Sequence, residues 1–546
     1  MSLPVLQPHT GAASDHDRAR SPLLRRRFLT GAASLLGAWA VLLILHAPLL
    51  RLPYYWDEAG YYVPAALDFL RHGLLIPAST LPTGHTPLVT VYLALAWRAF
   101  GFSPLVTRAA MILVAAATLL AAAALARAVS RSRTQAPEEM TWSAVLLALS
   151  PLFFAQSSMA HLDLAVALFT SLALLFLLGE RWAAFAAAAS LAVLSKETAI
   201  VLVPVAWIYR WLDARGTRSA TPVWLWLASP CAPLAAWALY YHHHTGFWTG
   251  NASYLQYNLY STLSPMRILL CLLRRLYEVF IAGFSGVITV AALGGVWWSR
   301  HPPGGETRGG KNVVERRFLV LTALLTAAYL LMLSVVGGAI LPRYTLPLYP
   351  PLIVLAVLYV WRLPKRWARA ACLVAAACLV AGWFTRPPYP FPFEDNLAYA
   401  DFVRLHQRAA DFLSHEDHAE AGNLLRVLTA WPASNELTTP DLGYVADPIL
   451  VVPVDGFEAR DFESVRPESF DVLYLYSRKW EPPGNWMTRF AWLQRLEARY
   501  FDYAPQASEA ELAARFHLRL MARWERRGQW VAIYAADHLK RQRVEW

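Results

Sequence analysis

Long apolar stretches separated by short polar segments fill most of the first 385 residues of the chain. A stretch of about 20 apolar residues is long enough to cross a bilayer as a helix. The pattern predicts about eleven transmembrane helices, at 28–50, 104–129, 142–158, 162–178, 182–195, 197–212, 222–241, 278–298, 318–337, 345–361 and 367–385. The expected fold is therefore a polytopic α-helical membrane protein.

Basic residues lie in alternate connections between these stretches and indicate the orientation of the chain. Such residues gather on the cytoplasmic side of membrane proteins. The markers of that side are Arg127, Arg131 and Arg133; Arg210, Arg215 and Arg218; Arg300, Arg308, Lys311, Arg316 and Arg317; and Lys365, Arg366 and Arg369. We expect a bacterial inner or cytoplasmic membrane protein with a cytoplasmic tail at 1–27. An odd number of spans then places the C-terminus outside.

The first external loop, about 51–103, contains an apolar run at 87–100 that is too short to span. If it did span, the helix that follows would deliver its basic end to the outside, against the charge rule. Leu88, Val91, Tyr92 and Leu95 recur at helical spacing. We therefore predict an interfacial helix lying along the outer membrane surface.

The composition changes at the proline-rich segment 386–390, which is typical of a linker between domains. Beyond it, short apolar runs at 424–428, 449–454, 472–476 and 530–534 alternate with helical stretches near 488–500 and 509–523. This alternation predicts a small soluble α/β domain over 386–546, outside the membrane. The membrane part is then 28–385. The function of the small domain is not readable from its sequence.

Composition supports the membrane assignment, because 57% of the 546 residues are hydrophobic and only 16% are charged. The mean hydropathy is +0.34. The net charge of +11 is explained by arginines between apolar segments, so nucleic acid is discounted as a partner. The four cysteines lie in or beside apolar stretches without metal-ligand spacing and are expected to be packing residues.

Asp57 and Glu58 are the most unusual charges, since they follow directly on an apolar segment. A carboxylate at the bilayer centre costs about 2.5 kcal/mol or more, which places this pair at a membrane surface. An exposed acidic loop is the simpler alternative. The predicted topology brings further polar residues to the same side, namely His85, Asp163, Lys196, Glu197 and Arg343. This placement suits chemistry on a lipid-linked substrate whose polar head projects outward.

Several motifs together make residues 28–385 similar to a known family. They are Trp-Asp-Glu (56–58), Gly-His-Thr-Pro-Leu (84–88), an Asp at the head of the fourth helix, Leu-Ser-Lys-Glu (194–197) and Pro-Arg-Tyr-Thr-Leu-Pro (342–347). In these motifs the chain resembles the protein-mannosyltransferase and aminoarabinose-transferase (ArnT-like) group of GT-C membrane glycosyltransferases. The resemblance implies transfer of a sugar from a polyprenyl-phosphate donor to an acceptor outside the cytoplasm, with inversion at the anomeric carbon.

The acidic residues have roles that fit such a transfer. An attacking hydroxyl must lose a proton, and Asp57, which matches the first acid of the family, is the expected general base. Glu58 orients the acceptor or Asp57, or is a solvated neighbour. For Asp163 the resemblance implies a supporting role in the active site, and the alternative is that it simply favours the positive end of a helix dipole.

The basic and aromatic residues point to phosphate binding. A preorganised cation stabilises a leaving phosphate, and Lys196 and Arg343 are the candidates. The alternative for both is that they snorkel to the membrane surface. His85 matches a His of the family motif, although Thr86 replaces the proline that follows in that motif. Tyr344 is expected beside the phosphate.

The sequence is compatible with several partners and with competing functions. The acceptor is a protein, a lipid or an envelope glycan. No metal or cofactor is required, although an adjacent acid pair could hold a divalent ion. A run of three histidines at 242–244 is better explained as a polar interfacial segment than as a metal site. A lipid or sugar transporter with an external receptor domain is the main competing function, but transporters more often hold charges at the bilayer midplane. A non-catalytic scaffold would leave the external charges unexplained.

Overall fold

A computed structural model describes residues 15–130, 132, 134–213, 223–252, 255–256, 259–301, 313–336, 338–419, 425–480 and 485–537. Most of the N-terminal tail lies outside these residues. So do six of the basic markers named above, Arg131, Arg133, Arg215, Arg218, Arg308 and Lys311.

The described part of the chain is mainly helical up to residue 382. Its helices are α1 (Asp15–Leu45), α2 (Val63–His72), α3 (Leu88–Phe100), α4 (Pro104–Val129), α5 (Ala136–Leu149), α6 (Pro151–Gln156), α7 (Asp163–Leu178), α8 (Trp182–Ser195), α9 (Leu202–Asp213), α10 (Val223–Ala228), α11 (Cys231–Thr245), α12 (Pro265–Phe280), α13 (Ser285–Arg300), α14 (Val313–Val335), α15 (Tyr349–Val360) and α16 (Lys365–Gly382). Shorter turns join them and carry much of the site described below.

Five helical stretches in the described residues are long and apolar enough to cross a membrane. They are Pro104–Val129, Val223–Thr245, Ala282–Arg300, Val313–Val335 and Pro342–Val360. Four shorter apolar helices accompany them, Leu29–Leu45, Leu88–Phe100, Asp163–Leu178 and Trp182–Ser195. The chain is an integral membrane protein, and the count of eleven spans stays a prediction.

Some of the predicted spans are interrupted, as the regions 142–158 and 278–298 illustrate. The helix expected at 142–158 breaks at Pro151, which lacks the N–H that would continue it. The helix expected at 278–298 begins only at Ser285, because Gly283 and Phe284 adopt left-handed backbone angles. The preceding α12 was not predicted. It is strongly amphipathic, and its three arginines interrupt the continuous apolar run that would predict a span.

The C-terminal part contains a five-stranded sheet flanked by helices. Its strands are β1 (Val427–Ala430), β2 (Val451–Val454), β3 (Val472–Tyr476), β4 (Leu518–Arg526) and β5 (Gln529–Ala536). Its helices are α17 (Ala398–Ala419), α18 (Ala433–Thr438), α19 (Ala491–Phe501) and α20 (Glu509–Phe516). The strand order is β2-β1-β3-β5-β4. Strand β1 pairs parallel with β2 and β3, whereas β5 pairs antiparallel with β3 and β4.

The predicted α/β character of this part is confirmed, with one wrong element. The helix expected at 509–523 ends at Phe516, and strand β4 begins at Leu518. His517 has a left-handed φ of 52°, which stops the helix. Arg527 and Gly528 then both have positive φ, as the tight turn of a β-hairpin requires. The long helix α17 was not predicted.

Candidate active site

The predicted site residues lie at the ends of helices, in segments of irregular backbone. Trp56 has a left-handed φ of 46°, and the chain then enters a wide helical turn at Glu58–Tyr62. Asp163 begins α7, and Lys196 follows α8 in an extended conformation. Arg343 lies in a 3-10 turn, Pro342–Leu348, which precedes α15. These segments meet in one buried cluster of charges.

Arg343 is the centre of this cluster and is fully buried. One guanidinium nitrogen, Nη2, donates to Asp57 Oδ2. Nη1 lies 2.8 Å from Oε2 of Glu394, and Nε lies 3.6 Å from Oδ2 of Asp163. The planar fork of an arginine suits several carboxylate partners at once. Because Arg343 is enclosed by acids, the alternative that it snorkels to the membrane surface is wrong.

Lys196 is attached to the same cluster through Asp163. Its Nζ lies 2.7 Å from Asp163 Oδ1 and 3.9 Å from the ring centre of Tyr344. Lys196 and Asp163 are both nearly inaccessible to solvent. An ammonium over an aromatic face is stabilised by the negative potential of the ring. The structure thus brings five predicted residues together, Asp57, Asp163, Lys196, Arg343 and Tyr344.

Glu58 is buried beside the cluster and has different partners. Its Oε1 accepts hydrogen bonds from Arg108 Nη1 and, at 2.6 Å, from the backbone N–H of Ala160. Its Oε2 accepts from the N–H of Tyr55 at 3.0 Å. The alternative of a solvated neighbour is therefore wrong. Glu58 instead joins its own turn to α4 and to the turn that precedes Asp163.

His85 lies outside the Arg343 cluster and pairs with Glu197. Its Nδ1 lies 3.0 Å from Glu197 Oε2. His85 also lines a cavity together with Tyr62, Trp237 and Tyr241. The structure therefore places His85 at the wall of a cavity next to the cluster, where it contacts the residue that follows Lys196.

Glu394 is a site residue that sequence reasoning missed. It follows the proline-rich segment in a 3-10 turn, Phe393–Asp395, and is buried against Arg343. Burial raises the pKa of Glu394 to about 7, with Arg343 opposing this rise and Asp57 and Asp163 adding to it. A Glu-Asp pair directly after a predicted linker was the available signal. Acids in a linker are usually solvated, so this pair does not stand out in the sequence.

His161 was also missed, and it contacts two members of the site. Burial, with the positive charge of Arg343 as a second cause, lowers the pKa of His161 well below its usual range. The neutral ring fits a tautomer whose Nδ1–H donates to Gln156 Oε1 at 2.7 Å. Its Nε2 then accepts from Arg343 at 3.2 Å. His161 therefore fixes the orientation of Arg343 without adding charge.

Arg275 of α12 is a third buried cation near the cluster. It donates to the carbonyl of Leu341 at 2.7 Å, lies 3.2 Å from Glu278, and sits 5.8 Å from the ring centre of Tyr344. Its Nε and Nη2 have no hydrogen-bond partner among the described residues. Two unsatisfied donors of a buried guanidinium are suited to an anion.

The described residues contain no group of three His, Cys, Asp or Glu side chains arranged to hold a metal ion. The histidine run ends α11, and His242 stacks on Trp248 with ring centres 4.1 Å apart.

No family model matches this sequence, and no curated protein sequence matches it either. Solved structures do match. The structure of ArnT from Cupriavidus metallidurans bound to undecaprenyl phosphate is similar with a TM-score of 0.53 and 13% sequence identity. That match covers 93% of this chain and 97% of ArnT. The oligosaccharyltransferase AglB from Archaeoglobus fulgidus matches with a TM-score of 0.44 at 11% identity, covering 92% of this chain and 74% of AglB. Because the sequence identity is only 13%, the similarity to ArnT establishes the fold alone. This fold is the GT-C fold.

Proposed function

We propose that the protein is an inverting glycosyltransferase that moves a sugar from a polyprenyl-phosphate donor to an acceptor at the outer face of the membrane. The observation that supports this most directly is the convergence of Asp57, Asp163, Lys196 and Arg343 in one buried cluster. These side chains come from four segments spread over almost 290 residues. Together they supply a carboxylate base and two phosphate-binding cations, which are the groups that this reaction needs.

Asp57 acts as the general base. The acceptor hydroxyl attacks the anomeric carbon on the face opposite the phosphate, and its proton passes to the Asp57 carboxylate. The bond between the anomeric carbon and the phosphate oxygen breaks, and its electrons remain on the leaving phosphate. One displacement of this kind inverts the configuration. A well-placed base contributes about 10²–10⁴ in rate.

Arg343, Lys196 and Arg275 bind the donor phosphate. Arg343 is held by Asp57 in this structure, so an incoming phosphate competes with Asp57 for the same guanidinium. Donor binding would thereby release the Asp57 carboxylate for the acceptor hydroxyl. Arg275 adds donors that are already free of partners within the described residues. Cations fixed in a dry site stabilise the charge that develops on the leaving phosphate.

The remaining residues position this machinery. Asp163 holds Lys196, and Tyr344 offers its ring to the same ammonium. Glu58 orders the turn that presents Asp57, through Arg108 and two backbone N–H groups. His85 lines the neighbouring cavity together with Tyr62 and holds Glu197, the residue that follows Lys196.

A polyprenyl phosphate is the proposed carrier because ArnT, which shares the fold, has been solved with undecaprenyl phosphate. AglB has been solved with a dolichol phosphate and an inhibitory peptide. The acceptor is a protein, a lipid or an envelope glycan, and the chemistry above applies to a hydroxyl on any of them. Mass spectrometry of lipids and glycoproteins from cells with and without the gene identifies the product.

The test replaces Asp57 by Asn, which preserves shape but removes the base. Asp502→Asn is the matched control, because Asp502 is exposed at the end of α19 in a left-handed conformation that Asn tolerates. Cells with Asp57→Asn should lack the product, as cells without the gene do, whereas Asp502→Asn should restore it. Full product with a folded Asp57→Asn protein would refute the proposal. Ion-coupled uptake by proteoliposomes without sugar transfer would favour a transporter instead.

A further inference from the structure

A segment of the C-terminal part exposes large aromatic side chains without packing them against the sheet. It consists of the 3-10 turn Trp486–Arg489, Phe490 and helix α19. Trp486 and Phe490 are each 46% exposed, and Trp492 is 54% exposed. None of the residues of α19 is buried. We call residues 486–501 the aromatic segment.

The exposed rings form one continuous patch. Trp486 and Phe490 have ring centres 6.3 Å apart, and Phe490 and Trp492 have ring centres 6.4 Å apart. A water-facing patch of this kind is unusual on a soluble domain and marks a contact surface. The elements next to this patch in the fold indicate which surface the patch contacts.

The aromatic segment is joined to the amphipathic helix α12. Arg267 of α12 donates from Nε to the carbonyl of Tyr500 at 2.9 Å, and its guanidinium lies 5.6 Å from the ring centre of Phe501. This contact ties the end of α19 to the first turn of α12. The aromatic segment is therefore next to an element of the membrane part.

Helix α12 has its own exposed apolar stripe. Met266, Leu269, Leu273 and Tyr277 are spaced three or four residues apart and are all at least 37% exposed. Helix α12 leads directly into the candidate span Ala282–Arg300. An amphipathic helix that precedes a span and exposes such a stripe is expected to lie in the membrane interface.

The polar residues of the aromatic segment match the same environment. Arg489, Arg495 and Arg499 are exposed beside the rings. Tryptophan favours the headgroup level of a bilayer, and arginine near the surface is attracted to anionic lipids. Rings and arginines on one short segment therefore match the boundary between acyl chains and phosphate headgroups.

We propose that the aromatic segment lies in the membrane interface beside α12 and binds the anionic phospholipid surface. The C-terminal part is then fixed to the bilayer by its own residues as well as by its contacts with the helices. The aromatic patch continues into the apolar stripe of α12 and is surrounded by positive charge. Both features favour lipid, and not a second copy of the chain, as the partner that covers the patch.

Photo-crosslinking of the full-length protein in bilayer nanodiscs tests this proposal. One variant carries Trp492→benzoylphenylalanine. The matched control carries Leu520→benzoylphenylalanine, because Leu520 is an apolar residue of similar exposure, 47%, on strand β4 of the C-terminal part. The nanodiscs contain phosphatidylethanolamine and phosphatidylglycerol. Mass spectrometry then separates lipid adducts from crosslinks between chains.

We expect lipid adducts at position 492 and none at position 520. Adducts at 492 should also increase with the fraction of phosphatidylglycerol. Equal labelling at both positions, or no lipid adduct at 492, would overturn the proposal. A crosslink from 492 to a second chain would also overturn it, by showing that another copy covers the patch. As an internal reference, a diazirine phospholipid should label α12 and the aromatic segment of the unmodified protein alike.

Discussion

Three carboxylates, those of Asp57, Asp163 and Glu394, surround the guanidinium of Arg343, and Lys196 is the second cation in direct contact with them. If all five groups were ionised, the cluster would carry one negative charge in excess. Buried excess charge is costly, and a proton on one acid removes it. Because its pKa is raised, Glu394 is the acid that we expect to hold this proton.

This protonation makes stability depend on pH. Glu394 has a folded-state pKa of about 7, raised from an ordinary value of 4.5. Its stabilising contribution is therefore fully present below 4.5 and is lost as the pH rises through about 7. We expect Glu394→Gln, which stays neutral, to flatten the fall in Tm across this window. The measurement is thermal unfolding of purified protein over a pH series.

Glu468→Gln is the matched control, because Glu468 is an exposed acid of the C-terminal part. It should keep the pH dependence of the unmodified protein. A Glu394→Gln protein whose Tm falls as steeply as that of the control would show that Glu394 does not hold the proton.

The turns that carry the site show what the sequence could and could not predict. Asp57, Lys196 and Arg343 were predicted because charged residues at the ends of apolar stretches are rare, and a charge inside the bilayer costs free energy. Their contacts were not predictable, since Asp57 and Arg343 are 286 residues apart and no local pattern records such a pairing. Glu394 was missed for a related reason, because a short polar segment gives no sign of whether it will be buried.

Regular elements were predicted well where one periodicity was unambiguous. The continuous apolar stretch of α4 agrees with its prediction at both ends. The region 509–523 was assigned as one helix, although a hairpin turn with positive φ at Arg527 and Gly528 sets the pairing of its second half. Tertiary pairing thus overrode local helical preference there.

Helices α13 and α15 pack at a glycine. A Cβ added to Gly295 would lie 2.7 Å from the carbonyl carbon of Tyr359, whereas one added to the neighbouring Gly294 would meet nothing within 4 Å. We expect Gly295→Ala to lower the stability of the protein by about 1–3 kcal/mol, because the two backbones must separate. Gly294→Ala should be neutral or stabilising by up to about 1 kcal/mol. Thermal unfolding in detergent measures both, and equal effects would contradict the packing argument.

The membrane part and the C-terminal part meet at the segment that presents Asp57. The hydroxyl of Tyr444 donates to the carbonyl of Tyr54 at 3.0 Å, and Arg71 lies 2.9 Å from Asp441. Gly60 is required where it stands, because a Cβ there would lie 2.7 Å from the ring of Trp431. The conformation of the Trp-Asp-Glu segment therefore depends on both parts of the molecule.

The orientation of the whole molecule is open to a direct test. Reporter fusions after Ser132 should be cytoplasmic and fusions after Arg386 should be external, because the basic connections are expected to stay inside. An alkaline phosphatase and a green fluorescent protein fused at each position give opposite signals on the two sides. The reverse result at either position would contradict an external site.

The contact between Glu394 and Arg343 has a consequence for the design of chimeras. Glu394 comes after the proline-rich segment, yet its carboxyl group is a direct partner of Arg343, which precedes that segment. A recombinant in which the C-terminal part is exchanged at residue 386 would inherit every motif of the membrane part and still lack this acid. We therefore expect active chimeras only when the exchange begins after Asp395. The other parent protein must also supply an aromatic ring at the position of Trp431.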